Sequence, residues 1–247
     1  MDMNVNLSDK VAIVTGAVQG IGKSVAEGIA ESGARVLAVD ILSPTEDAQE
    51  KWEGRWKTCQ TDVSDPEAVE AMVLKCVDLF GPPDILVNVA GITKPCPVRK
   101  MSLDIWQQMM NVNLTSVFLT TKNVLRYMLE KRSGSIINFS SIYAETGGTG
   151  SAHYSAAKAG IEGFSKALAR EVGGSGIRVN IIAPGLIETR MLDLMSPEQK
   201  SELIKEIPLH RVGYPDDFLG PVFLLASDAG SYITGQTFRI NGGMTMS

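Results

Sequence analysis

Short apolar runs alternate with segments whose apolar residues recur at helical spacing along the whole chain. Val11–Thr15 reads as a buried strand. Gly20–Glu31 follows as a helix, with Ile21, Val25 and Ile29 on one face. Gly33 ends it, and Ala34–Asp40 forms a second strand. Lys57–Thr61 is a weaker strand, and Pro66–Phe80 a helix capped by Ser64 or Asp65. Asp84–Asn88 is a strand, Met101–Glu130 a long helical region and Ser135–Ser140 a strand. Tyr154–Val172 is a helix closed by Gly173 and Gly174, and Arg178–Ala183 a strand. Two more helices precede the last strand, Thr237–Asn241.

Strand–helix alternation of this kind requires parallel strands joined by right-handed crossovers. The expected fold is α/β: a single doubly wound domain over residues 1–247, with a parallel sheet of about seven strands and helices on both faces. The stretches at 91–97, 144–152 and 184–190 follow strands, so they should lie over the carboxyl edge, where open α/β sheets bind ligands. Residues 190–207 read either as a mobile lid over a substrate or as a plain surface helix pair.

Composition narrows the class. Hydrophobic residues make up 44% and charged residues 21%, and the net charge is −5. No Lys/Arg run suggests a nucleic-acid footprint, so no nucleic-acid partner is expected. No apolar stretch is long enough for a membrane span and the start MDMNVNLSDK has no signal-like core, so no membrane partner and a cytoplasmic location are expected. Cys59, Cys76 and Cys96 match neither a disulfide framework nor a zinc pattern, and only two histidines are present, so no metal site is expected.

The candidate chemistry begins after the first strand, in Thr15–Gly22, TGAVQGIG. Gly16, Gly20 and Gly22 would let main-chain N–H groups approach a pyrophosphate, with Gln19 and Ile21 in the same turn. The following helix points its positive end at the phosphates. Asp40 ends the second strand, where a carboxylate can accept hydrogen bonds from an adenosine ribose and would repel an additional phosphate. No Arg or Lys stands at Gln19 or Ile41 to welcome one, so NAD is expected over NADP.

Tyr154 and Lys158 lie four apart at the start of a helix, on one face. A neighbouring cation favours phenolate, which suits a tyrosine for general acid–base work. Ser141, at the end of a strand 13 residues earlier, could hold a substrate oxygen. Asn113 reads either as a water-binding relay group or as a satisfied core amide.

Taken together these segments resemble the short-chain dehydrogenase/reductase family over essentially the whole chain. They stand in family order: TGAVQGIG, Asp40, Asp62-Val63, Asn88–Gly91, Val112–Leu114, Ser140-Ser141, Tyr154–Lys158, Pro184-Gly185 and Asn241–Met244. The resemblance implies a Rossmann-type fold and a tetrad of Asn113, Ser141, Tyr154 and Lys158. In it Tyr154 passes the proton, Lys158 lowers the tyrosine pKa and binds ribose, Ser141 orients the substrate oxygen and Asn113 holds a relay water. It also implies adenine contacts from Asp62 and Val63, and a cofactor-lining segment at Asn88 and Ala90. Further cofactor contacts follow Pro184 and Gly185, at Ile187 and Thr189. It implies a homotetramer. Val89 departs from the usual asparagine.

Within the family the chain looks like the 3-oxoacyl-acyl-carrier-protein reductases, through PGLIETRM, RVGYPDD and SDAGSYITGQTFRINGGM. Two departures stand out: Gln19 replaces an arginine, and Ser175 replaces one of two basic residues that dock the carrier, Arg132 matching the other. The leading expectation is therefore an NAD-dependent dehydrogenase of a small-molecule alcohol or ketone: a sugar, a polyol or another secondary alcohol. An NADH-dependent 3-oxoacyl thioester reductase, a reductase of cyclic or xenobiotic ketones and a non-catalytic NAD-binding sensor are the alternatives. Tyr143, Glu145 and His153 flank the tetrad and read either as substrate contacts or as solvated loop residues.

Overall fold

The computed structural model describes residues 6–43, 51–52, 54–188 and 196–246. Seven strands form one sheet: β1 (Val11–Thr15), β2 (Arg35–Asp40), β3 (Trp56–Gln60), β4 (Ile85–Asn88), β5 (Gly134–Phe139), β6 (Ile177–Pro184) and β7 (Thr237–Ile240). Their order is β3-β2-β1-β4-β5-β6-β7, and every pairing is parallel. The helices are α1 (Gly20–Glu31), α2 (Pro66–Phe80), α3 (Leu103–Met110), α4 (Ser116–Lys131), α5 (Tyr143–Thr146), α6 (Ala152–Val172), α7 (Pro197–Lys205) and α8 (Leu219–Ala226). This is the doubly wound Rossmann-like architecture that the alternating pattern predicts.

A sheet covered on both faces buries every strand position, which is why its strands read as continuous apolar runs. The period of two survives beneath them. Ala12 and Val14 of β1 join Val87 and Ile182 under α1 and α8. Val11 and Ile13 join Leu86, Ile136 and Val179 under α2, α4 and α6. The order of strands reverses between β1 and β4, where Thr15 stands opposite Asn88. There the Thr15 hydroxyl accepts from the N–H groups of Val89 and Ala90, both at 3.2 Å. That crevice is the ligand-binding position of such folds.

Strand and helix ends move by one or two residues from expectation, as terminal hydrogen bonds commonly do. The cap of α2 is Asp65, whose Oδ1 accepts from Glu67 N at 2.9 Å and Ala68 N at 3.3 Å. Two larger differences bear on function. The long helical region predicted over 101–130 is α3 and α4 joined by a π-helical turn, Asn111–Thr115. A short helix, α5, lies where 144–152 read as loop, and it ends at Gly147 with φ +69. Thr189 and the first part of the expected lid lie outside the described residues. Within 196–207, α7 is a surface helix.

Candidate active site

Three strand ends and one helix converge over the carboxyl edge. Tyr154 and Lys158 project from the first turns of α6, with the Lys158 ammonium 5.7 Å from the Tyr154 ring centroid. Ser141 follows β5, with its hydroxyl beside the Tyr154 phenol, where it favours the phenolate. The same Ser141 oxygen accepts from the Tyr143 N–H at 3.2 Å. Tyr143 stands edge-on to the Tyr154 ring, centroids 6.3 Å apart and planes 89° apart, so it walls the site.

The electrostatics set the resting protonation. Burial pushes the Tyr154 phenol above its ordinary value, and the neighbouring Ser141 hydroxyl opposes that. Tyr154 is therefore a neutral acid at neutral pH. Burial brings Lys158 down to about 8. Its Nζ donates to the Phe139 carbonyl at 2.9 Å, a partner that steadies the ammonium.

Asn113 lies in the π turn and is fully buried. Its Oδ1 accepts from Ile92 N at 3.1 Å, while its Nδ2 donates to the carbonyls of Ile92, at 3.1 Å, and Met109, at 3.0 Å. Both readings of this residue meet here: the amide is satisfied, and it sits against the site. A Cβ at Gly91 would stand 2.6 Å from Asn113 Oδ1 and 3.6 Å from Lys158 Nζ. Gly91 is thus the backbone surface shared by two of the four residues, a role that sequence reasoning missed.

The glycine loop fits a dinucleotide. Gly16 has φ +70, and a Cβ on it would meet Ala90 N at 2.9 Å. A Cβ on Gly22 would lie 2.0 Å from the Gly16 carbonyl oxygen, so the turn closes only on glycine. Gly20 faces open space. α1 starts at Gly20 without a side-chain cap and without an acidic residue in its first turn, leaving its N–H groups for an anion. Asp40 reaches back to this loop. Its Oδ2 accepts from Val18 N at 3.0 Å and its Oδ1 from Leu42 N at 3.1 Å. Each oxygen keeps a lone pair for a ribose hydroxyl.

The other cofactor positions divide. Asp62 is exposed, its Oδ1 accepting from the Ser64 N–H and hydroxyl, and Val63 is buried in the core. Ala90 lies against the glycine loop. The Asn88 side chain turns inward: Nδ2 donates to Asn138 Oδ1 at 2.9 Å, and Oδ1 accepts from the Thr120 hydroxyl at 2.8 Å. Asn138 Nδ2 donates in turn to Ser165 at 2.9 Å. Asn88 therefore holds β4, β5, α4 and α6 in register under the cleft. The signal was legible: two asparagines lie near the carboxyl ends of largely apolar strands and pair directly across the ladder. Pro184 accepts from Ile142 N at 3.0 Å, Gly185 packs on Asn241, and the Ile187 side chain is buried in the core.

Two substrate-contact expectations need correction. His153 is fully buried, with neither ring nitrogen hydrogen-bonded, so it meets no open cleft. It precedes Tyr154 in α6, and a helix turns adjacent residues about 100° apart. Glu145 is exposed, on α5 rather than in a loop, and its carboxylate is engaged: its Oε2 accepts from Arg239 Nε at 2.8 Å, tying α5 to β7. A cavity of about 160 Å³ opens at this edge between Leu186, Leu209, Gly213 and Asn241. A larger one, about 270 Å³, lies at the opposite edge beside Asp84 and Arg178, away from the four residues.

The fold and this constellation define a class, and comparison with known proteins agrees. A family model described as enoyl-(acyl carrier protein) reductase matches residues 16–245. The chain belongs to the short-chain dehydrogenase/reductase family, and it is an oxidoreductase. It is 44% identical to the 3-oxoacyl-acyl-carrier-protein reductase FabG of Vibrio cholerae, over 98% of this chain and 99% of that one. It is 42% identical to the protein of the same name from Escherichia coli K12, over the same shares. The crystal structure of gox2181 superposes with a TM-score of 0.91 at 33% identity, covering 98% of this chain and 97% of that one.

Proposed function

We propose that the chain reduces a 3-oxoacyl thioester to the 3-hydroxyacyl thioester. The observation that carries this is a neutral Tyr154 phenol beside Ser141 and the Lys158 ammonium, in a chain 44% identical to a 3-oxoacyl reductase. Reduced nicotinamide supplies the hydride to the carbonyl carbon. The Ser141 hydroxyl orients the carbonyl oxygen, and Tyr154 gives that oxygen its proton. The Lys158 ammonium binds ribose and, with Asn113 and a water, returns a proton to the phenolate. In the reverse direction the phenolate is the base, favoured by the positive charge of oxidised nicotinamide.

NAD(H) is the proposed cofactor. Asp40 places a carboxylate at the end of β2, and Gln19 and Ile41 bring no cation to offset it against a second phosphate. The sugar and polyol reading gains nothing from Glu145, whose carboxylate is engaged with Arg239. The first experiment follows absorbance of the nicotinamide band with each cofactor, against acetoacetyl thioesters, polyols and simple secondary alcohols. Thioester reduction with NADH preferred is expected. Oxidation of polyols with thioesters untouched would reject the substrate, and preference for NADPH would reject the role given to Asp40.

A further inference from the structure

We propose that the loop between β4 and α3 docks the phosphate groups of a coenzyme-A-type acyl thioester through Lys94, Arg99 and Lys100. The inference rests on the thioester reading and deepens it, naming which arm the acyl group travels on.

Gly91–Ser102 carries three cations and no carboxylate, in a chain whose net charge is −5. The next acid is Asp104, in the first turn of α3. All three cations are exposed, and none has a hydrogen bond or ion pair among the described residues. Other cations are engaged: Lys131 bonds Asp84, Arg211 grips Asp217 at 2.7 and 2.8 Å, and Arg239 holds Glu145. Three unpartnered cations on one loop therefore form a positive rim.

The loop is fixed over the site. It begins at Gly91 against Lys158 and Asn113, and Ile92 exchanges two hydrogen bonds with Asn113. Midway, Cys96 N donates to the Gly150 carbonyl at 2.7 Å, four residues before Tyr154. Pro95 and Pro97 restrict it further, and Val98–Lys100 is a helical turn. Ordering the rim therefore costs little on binding. Val98 and Leu103 beside the cations are 69% and 67% exposed. Apolar side chains next to cations suit an arm that is part alkyl amide and part phosphate.

The other end of the molecule argues against a carrier protein as the occupant. Arg132 donates from Nη2 to the Gly174 carbonyl at 2.8 Å, and Ser175 offers no second cation there. A substrate bearing its own free phosphates would instead be recognised at the rim, by charges acting within a screening length of about 8 Å.

The test compares acetoacetyl-coenzyme A with the acetoacetyl thioester of N-acetylcysteamine, which lacks every phosphate. In the K94Q/R99Q/K100Q variant the ratio of kcat/KM for the two substrates should fall about tenfold, through KM for the coenzyme A ester. Raised salt should lower the same ratio in the wild type. NADH binding by fluorescence confirms that the variant is folded. An unchanged ratio would overturn the assignment. So would a loss confined to a carrier-protein thioester, which would give the rim to the carrier. If the wild type reduces neither small thioester, the thioester reading itself fails and the rim falls with it.

Discussion

At the scale of single residues, the site depends on an acid held neutral and a cation held in a place that disfavours it. Tyr154→Phe removes the transferable proton while keeping the ring against Tyr143. It should lower kcat by a factor on the order of 10² to 10⁴, with NADH affinity within about twofold by fluorescence titration. Lys158 has the opposite profile in stability. Its value in the fold is about 8 against 10.5 when exposed, so the unfolded chain binds the proton more tightly. Stability contributed by this residue therefore rises as pH climbs from about 8 to 10.5. Lys158→Met should abolish turnover yet resist urea better at pH 7, by on the order of 2 to 3 kcal/mol. That gain should shrink by pH 10, and equal stability at both pH values would contradict it. The four candidate residues were legible because their types carry chemistry at fixed spacing. His153 was misread for a physical reason: proximity in sequence says nothing about which side of a helix a residue occupies. Its burial depends on packing that only the folded chain shows.

At the scale of elements, the two departures from the predicted pattern both shape the candidate site. The π turn arises within a run that reads as continuous helix, because apolar periodicity is insensitive to one residue more per turn. What marks it is Asn113, an amide at a buried position satisfied by the Ile92 backbone and by Met109 at the end of α3. The helix α5 was lost among glycines. It is four residues long, and its anchor, Arg239, lies 94 residues away, beyond any local signal. Arg239→Gln should free α5 and with it Tyr143 and the Ser141 hydroxyl. A fall of roughly fivefold in kcat/KM is expected, with thermal stability nearly unchanged for so exposed a pair. Arg239→Lys should recover most of the loss. A deficit in stability alone, with normal kinetics in the surviving protein, would make the pair merely structural.

At the scale of the whole molecule, strand count and direction were readable in the sequence because a sheet buried on both faces writes long apolar runs punctuated by helices. The substrate was not, since a few side chains around one cleft set it and the rest of the chain is indifferent to it. Assembly lies between these cases. Phe118 and Leu129 on α4 are 46% and 41% exposed, and Phe118 meets Phe164 of α6 edge-on. This apolar face supports the homotetramer implied by family resemblance, with α4 and α6 at a contact. Phe118→Glu should lower the sedimentation coefficient while far-UV circular dichroism stays unchanged. A monomeric wild type, or an assembled variant, would place the contact elsewhere or remove it.

The double use of Asp40 has a consequence for descent. The carboxylate proposed to discriminate between cofactors also pins Val18 in the phosphate loop and Leu42 in the turn beyond. A lineage that traded it for a smaller residue would acquire a new electron donor and a slack cradle in the same generation. The first intermediate would grip either nucleotide poorly. Descendants that crossed this valley should therefore carry a second change near positions 18 or 42 that restores the lost braces, and the preference should be old and hard to reverse by one substitution.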